Sequence, residues 1–156
     1  MTAQDIKIST LVKEKTIELE LKLTDKKKVI AELVDVVARS GKLKDKKDLL
    51  RTILKREKLG STGIGNGVAI QHARSPKVND FILAFARQEK GVEFCALDGE
   101  KTYLFFMLAS PEENVGGHLK ILAEISRLVK DKFLVDRLKG AKDKKQALGV
   151  IAAFDK

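Results

Sequence analysis

Apolar residues with helical spacing predict two helices in the first 60 residues. The first pattern follows Asp25, whose side chain is a typical helix N-cap, and ends at Ser40 and Gly41. The second follows Asp45, carries one apolar face and ends near Gly60. The apolar positions are Val29, Ile30, Leu33, Val36 and Val37 in the first helix, and Leu49, Leu50, Ile53 and Leu54 in the second.

Short, continuous apolar runs predict buried strands in the middle of the chain. Residues 81–86 and 102–108 are apolar, partly aromatic and bounded by turn residues. Residues 68–70 suggest a third strand. Helical patterns return at about 117–129, 131–139 and 142–153. Helices mixed with buried strands indicate an α/β layered fold, and the length of 156 residues predicts a single domain over 1–156.

Composition excludes several classes of protein. The chain is 44% hydrophobic and 34% charged, which excludes disorder of the whole chain. It has no apolar run of about 18 residues, so no membrane insertion is expected. The first residues lack the basic and apolar regions of a signal peptide, which predicts a cytoplasmic protein. The single cysteine, Cys95, has no adjacent base and is expected to be a small buried apolar residue.

The net charge of +9 is unevenly distributed along the chain. Residues 1–60 carry +6, residues 61–129 carry −1 and residues 130–156 carry +4. The lysine clusters lie beside aspartates in patterns typical of solvated helix faces, with a nucleic-acid or other anion-binding surface as the alternative. Aromatic residues make up only 5% of the chain, so platforms for base stacking are scarce and nucleic acid is an unlikely partner.

Four of the 11 glycines lie within residues 60–67. Dense glycines permit positive φ and close approach of backbone N–H groups to a phosphate. Neither common phosphate motif is present, because Asn66 and Gly67 follow Gly65 where a Walker loop needs Lys and Ser or Thr, and Val68 replaces the third glycine of a dinucleotide fingerprint. The alternative interpretation is a tight connection between a helix and a strand.

The two histidines are candidates for a shared phosphoryl site. His72 ends the possible strand after the glycine segment, and His118 follows two glycines at the start of a predicted helix, where anions are favoured. Either one alone would ordinarily be a surface or core residue. With Ser61, Thr62 and an arginine they could form a phosphate-binding constellation. The two histidines and one cysteine leave too few ligands for a metal site.

Several motifs together resemble a known family. The segment from Arg56 to His72 reads RExLGSTGIGxGVAIxH, and GVxFxALDG, ASPE and HLxILAxISxL follow in order from residues 91, 109 and 118. This pattern resembles the signature of the fructose- and mannitol-type enzyme IIA domains of the bacterial sugar phosphotransferase system, and it covers most of the chain.

The resemblance implies a fold and a chemistry. The family fold is a three-layer α/β sandwich with a central mixed sheet and helices on both faces. A IIA domain is a phosphotransferase that takes a phosphoryl group from the phosphocarrier protein HPr and passes it to a IIB domain, with no metal or cofactor. The phosphorylated histidine maps onto His72, the second active-site histidine onto His118 and the motif arginine onto Arg56. Ser61 or Thr62 would set the tautomer of His72 or contact the phosphate.

Three questions stay open from the sequence. The family serves either sugar uptake or a nitrogen-related regulatory branch, which signals through its phosphorylation state. The family usually has Pro and Gly where this chain has Gln71 and Ala73 on either side of His72, so the local backbone is expected to differ. The alternative function is a basic regulatory module that binds protein or nucleic acid and keeps the fold without phosphotransfer.

Overall fold

A mixed sheet of five strands forms the centre of the protein in a computed structural model that describes residues 6–155. The strand order is β1-β4-β5-β3-β2. β1 pairs with β4 and β3 with β5 in parallel, whereas β4 with β5 and β2 with β3 are antiparallel. The strands are β1 (Ile17–Glu18), β2 (Gly63–Gly65), β3 (Val68–Ser75), β4 (Ile82–Val92) and β5 (Thr102–Pro111).

The predicted helices form with boundaries close to those expected. The aspartates predicted as N-caps serve that role, because the Asp25 side chain accepts from the amide of Lys28 and the Asp45 side chain from the amide of Asp48. The helices are α1 (Ile8–Leu11), α2 (Lys26–Ala38), α3 (Lys46–Glu57), α4 (Val115–Lys130), α5 (Lys132–Lys139) and α6 (Lys144–Phe154). None of the helices in residues 6–155 combines the length and apolarity needed to cross a membrane.

Two apolar clusters divide the structure into three layers. One cluster joins one face of the sheet to α1, α4, α5 and α6, and the other joins the opposite face to α2 and α3. The predicted three-layer α/β sandwich is therefore confirmed. Side chains alternate between the two clusters along β3: Val68 and Ile70 belong to the first, and Ala69 and Ala73 to the second. By this alternation His72 lies on the α4 side of the sheet and Gln71 on the α3 side.

A buried arginine explains why β4 runs beyond its apolar segment. Arg87 is 7% exposed and donates to the backbone carbonyls of Leu138, Lys139 and Ala141 at 2.8–3.2 Å. These carbonyls lie at the C-terminal end of α5, where the helix dipole favours a cation. Hydrogen bonding therefore allows a charged residue to continue a strand in the interior.

The expectation that Cys95 is buried is wrong. Cys95 is exposed and has a φ of 54°, in the turn that follows β4. Its neighbour Phe94 is fully buried against Phe105, at 5.4 Å between ring centroids. The aromatic ring takes the core position, and the positive φ then directs the small thiol outward.

Candidate functional site

His72 and His118 lie side by side. His72, on β3, faces α4, and His118 is the fourth residue of that helix. Their ring centroids are 5.4 Å apart with an interplanar angle of 61°. This separation agrees with the expectation that the two imidazoles lie within reach of one phosphate. His72 is partly exposed, whereas His118 is 5% exposed, so the pair has one accessible ring and one supporting ring.

Contacts from two elements fix the orientation of His118. Its Nδ1 lies 2.8 Å from Oγ of Ser110, which is fully buried at the end of β5. A hydroxyl that donates to Nδ1 leaves the proton of the neutral ring on Nε2. Gly117 permits this packing, because a Cβ there would lie 2.5 Å from Cζ of Phe81. The ASPE motif contains Ser110, but sequence reasoning assigned it no role.

Both histidines are held towards their neutral forms. Burial lowers the pKa of His72 from its usual 6.5, the charge of Arg56 lowers it further, and the charge of Glu57 opposes these effects. Burial lowers the pKa of His118 to about 4, with smaller contributions from His72 and Arg74. At neutral pH both rings are therefore uncharged, and the accessible one is available as a nucleophile.

Arg56 and Ser61 hold the segment that borders the histidine pair. The Arg56 guanidinium donates to the carbonyl of Gly60 at 3.0 Å, so it supports the backbone while its charge acts on His72. The Ser61 hydroxyl donates to the carbonyl of Phe94 at 2.6 Å and accepts from the amide of Gly63 at 3.0 Å. Ser61 therefore joins two loops, and the hydroxyl that contacts a histidine belongs to Ser110.

Glu57 is the centre of a buried polar network behind the site. Its Oε1 accepts from the Thr62 amide at 3.0 Å, from the Thr62 hydroxyl, and from Nε2 of Gln71 at 2.8 Å. Its Oε2 forms a salt bridge with Lys26 at 2.8 Å, and these partners lower the pKa of Glu57 despite its burial. Thr62 and Gln71 therefore donate their hydrogen bonds to Glu57. The motif contains Glu57, but sequence reasoning assigned it no role.

The glycine-rich segment forms a hairpin with β3. Asn66 and Gly67 have φ values of 58° and 78°, the combination required by a two-residue type I′ turn. The Asn66 amide donates to Asp98 at 3.1 Å. With this amide and that of Gly63 bonded within the protein, the segment acts as the tight connection envisaged as the alternative. It shapes an edge of the site.

Exposed apolar side chains occur on the segments that precede β3, follow β4 and begin α4. Three of them are Ile64 on β2, Leu97, whose amide contacts the carbonyl of Gly63 at 3.4 Å, and Leu119, next to His118. We call the following set the apolar rim: Leu59, Ile64, Leu97, Val115 and Leu119, which are 84, 42, 88, 44 and 59% exposed. Residues 6–155 contain no group of three His, Cys, Asp or Glu side chains placed to hold a metal ion.

Comparison with known sequences identifies relatives with two kinds of name. Residues 10–153 match the family described as "Phosphoenolpyruvate-dependent sugar phosphotransferase system, EIIA 2". The chain is 36% identical over 151 residues to the fructose-specific EIIABC component of Bacillus subtilis, covering 97% of this chain and 24% of that protein. It is 35% identical over 147 residues to a nitrogen regulatory protein of Bradyrhizobium diazoefficiens, covering 93% of this chain and 94% of that protein.

Solved structures share the same architecture. The nitrogen regulatory protein IIA-Ntr of Neisseria meningitidis superimposes with a TM-score of 0.87 at 30% identity, covering 92% of this chain and 98% of that chain. In a complex of the mannitol enzymes IIA and phosphorylated IIB from Escherichia coli, a matching chain gives a TM-score of 0.78 at 20% identity, covering 92% and 99%. At that identity the second match demonstrates the fold alone.

Proposed function

Because this chain belongs to the EIIA type 2 family of the phosphoenolpyruvate-dependent sugar phosphotransferase system, we propose that His72 is its phosphoryl acceptor. The group would come from the phosphocarrier protein HPr and pass to a IIB domain or to a regulated protein. The observation that supports this proposal is the pair of neutral imidazoles 5.4 Å apart, one accessible and one held by Ser110.

In the proposed step, a ring nitrogen of neutral His72 attacks the phosphorus of the donor phosphohistidine in line. A new N–P bond forms as the donor's N–P bond breaks, and that electron pair returns to the donor ring. Transfer to the acceptor is a second in-line displacement. The acceptor's nucleophile attacks the phosphorus, the N–P bond of His72 breaks, and its electron pair returns to the His72 ring. No metal takes part, because positioning and hydrogen bonding stabilise the phosphoryl group.

His118 acts in this proposal as the hydrogen-bond donor to the phosphoryl oxygens. The proposal assigns the Ser110 hydroxyl as donor to Nδ1, which would leave Nε2–H as the free donor, and the low pKa keeps the ring neutral across the physiological range. Arg56 and Arg74 add positive charge, which lowers the pKa of His72 and of His118 respectively. The Nε2–H donor of His118 and the two arginine charges would both stabilise the more negative, phosphorylated form of His72.

The apolar rim is the proposed docking surface for HPr and for the acceptor. Aliphatic side chains as exposed as Leu59 and Leu97 gain burial only when another protein covers them. Covering the rim would also exclude water from a phosphoramidate that is prone to hydrolysis. The 36% and 35% identities to a fructose-specific component and a nitrogen regulatory protein support transport and regulation equally.

Incubation with phosphoenolpyruvate, enzyme I and HPr tests the proposed function. We expect intact-mass spectrometry to detect one added phosphoryl group per chain, which is lost in acid because an N–P bond is acid-labile. Omitting HPr is the control and should prevent labelling. If the mass is unchanged with all components present and HPr phosphorylated, the carrier function is excluded.

The protonation state of His72 predicts a pH shift in an Arg56→Gln variant. Because the Arg56 charge lowers the pKa of His72, its removal should raise that pKa. The neutral nucleophile then disappears at a higher pH, so the acid limb of the acceptance rate should move towards neutral pH. Single-turnover transfer from phosphorylated HPr would be compared for both proteins in the same buffers, which cancels titration of the donor. An acid limb at the same or lower pH would contradict this account.

A further inference from the structure

The surface between α2 and α3 contains a groove that the phosphoryl chemistry does not use. Its volume is about 860 Å³, and its aliphatic lining consists of Leu50, Leu54 and the fully buried Ile30. We call the partly exposed Leu50 and Leu54 its floor. Leu50 and Leu54 are only partly buried and pack on the core beneath α3. We call this feature the basic groove, because six of its lining residues are cationic.

The cations form a stripe along α3 and a second wall on α2. Lys47, Arg51 and Lys55 lie on α3, and Lys58 is its C-cap residue. They are separated by four, four and three residues and therefore share one face. From position 47 to position 58 there are eleven residue steps of about 1.5 Å each, so the stripe is about 16 Å long. Lys26 and Lys27 at the start of α2 form the opposite wall.

Little of this positive charge is neutralised within the protein. Glu57 is the one acidic residue in the lining, and it forms its salt bridge with Lys26. Arg51 contacts Asp48 at 3.2 Å, but the arginine side chain is 70% exposed. Lys27, Lys47, Lys55 and Lys58 have no salt bridge among residues 6–155. Closely spaced, uncompensated like charges repel each other, and an anionic ligand would remove that repulsion.

We propose that the basic groove binds an acidic amphipathic α-helix of a partner protein. Such a helix would place carboxylates at i, i+4 and i+8 along the cationic stripe of α3. Its adjoining apolar row would fill the floor over Leu50 and Leu54. The combination of a charged stripe and a parallel apolar row, both with helical periodicity, is the complement of that ligand.

Other occupants match the groove less well. The lining residues include no aromatic side chain for base stacking, and an aliphatic floor contributes nothing to a nucleic-acid backbone. A lipid surface offers no row of carboxylates at helical spacing to match the cations of α3. A second copy of this chain would carry another +9 charge and be repelled.

The groove and the histidine pair lie in different layers. The groove opens on the α2 and α3 side of the sheet, whereas His72 contacts His118 on the α4 side. The test below uses no phosphoryl donor, so its outcome is independent of the proposed carrier function.

A designed peptide provides the probe. It is a stapled, fluorescein-labelled helix of about 16 residues with glutamates at i, i+4 and i+8 and leucines on the adjoining row. The matched peptide has the same composition with its leucines on the opposite face. In fluorescence anisotropy at about 0.1 M salt, we expect the designed helix to bind and the matched peptide to bind at least about tenfold more weakly.

Matched charge reversals locate the binding. The double variant Arg51→Glu, Lys55→Glu should bind the designed peptide at least about tenfold more weakly, because both cations line the groove. Lys142→Glu with Lys145→Glu changes the net charge equally on exposed residues of the opposite layer and should alter binding less than about twofold. Circular dichroism and thermal unfolding would verify that all variants are folded.

Three results would overturn the proposal. The first is equal binding of the two peptides. The second is an equal loss of peptide affinity in both charge-reversal variants. Either result would mean that net charge alone accounts for binding. The third is displacement of the designed peptide by single-stranded RNA or anionic phosphatidylserine vesicles at lower concentrations than unlabelled peptide. That result would mean that the cations of the groove bind a nucleic acid or an anionic membrane surface.

Discussion

Replacing His72 by alanine should abolish phosphoryl acceptance. His72 is the accessible member of the histidine pair and has a lowered pKa, so it supplies the neutral nitrogen to which phosphorus would bond. Removal of a nucleophile that acts as one unit with its neighbours costs on the order of 10⁴ or more in rate. Intact-mass spectrometry after incubation with phosphoenolpyruvate, enzyme I and HPr measures this effect.

The alanine variant should remain folded, which makes the loss interpretable. His72 contributes its backbone to the parallel pairing of β3 with β5, opposite Leu108, and alanine keeps that pairing. The side chain is partly exposed, so its truncation leaves no large internal cavity. His118→Ala, which keeps His72, is the matched control and should still be labelled. Acid-labile labelling of the His72→Ala protein on a histidine would refute the assignment.

Replacing His118 by alanine should leave acceptance possible and slow the onward transfer. The Nε2–H donor would contact the phosphoryl oxygens most strongly where negative charge develops in the displacement. Loss of one such preorganised donor costs about 10² or more in rate. The measurement is single-turnover transfer from the labelled protein to a IIB domain, with acceptance from HPr followed in parallel.

A conservative variant separates a hydrogen-bonding role from a packing role. His118→Gln keeps an N–H donor in the same place and should recover part of the transfer rate, whereas alanine should not. If His118 only packs against Ser110, glutamine would give no recovery in rate. Transfer to a IIB partner at the wild-type rate in the alanine variant would remove His118 from the proposed mechanism.

Prediction from the sequence succeeded where neighbouring residues determine the outcome. The aspartates at 25 and 45 and the apolar spacing after them predicted α2 and α3, since caps and periodicity act within a few residues. The strand prediction was less complete. β3 continues from Ile70 to Ser75 through Gln71, His72 and Arg74, which are polar and broke the apolar pattern.

Long-range partners explain why polar strand residues escaped prediction. Gln71 is fully buried because Glu57, 14 positions earlier, accepts its hydrogen bond. Arg87 is buried because carbonyls more than 50 positions later accept from it. Burial of a polar group is tolerated only with such partners, and a local pattern does not contain them.

The sequence by itself determined the family, the layered fold class and the two histidines, because each is encoded in residue types at fixed spacing. Only the tertiary structure decided that Ser110 contacts His118, that Glu57 joins Lys26, Thr62 and Gln71, and that cations from α2 and α3 line one groove. These contacts join residues that are distant in the chain. Their geometry depends on how helices pack on the sheet, a property of the whole core that no local stretch of sequence specifies.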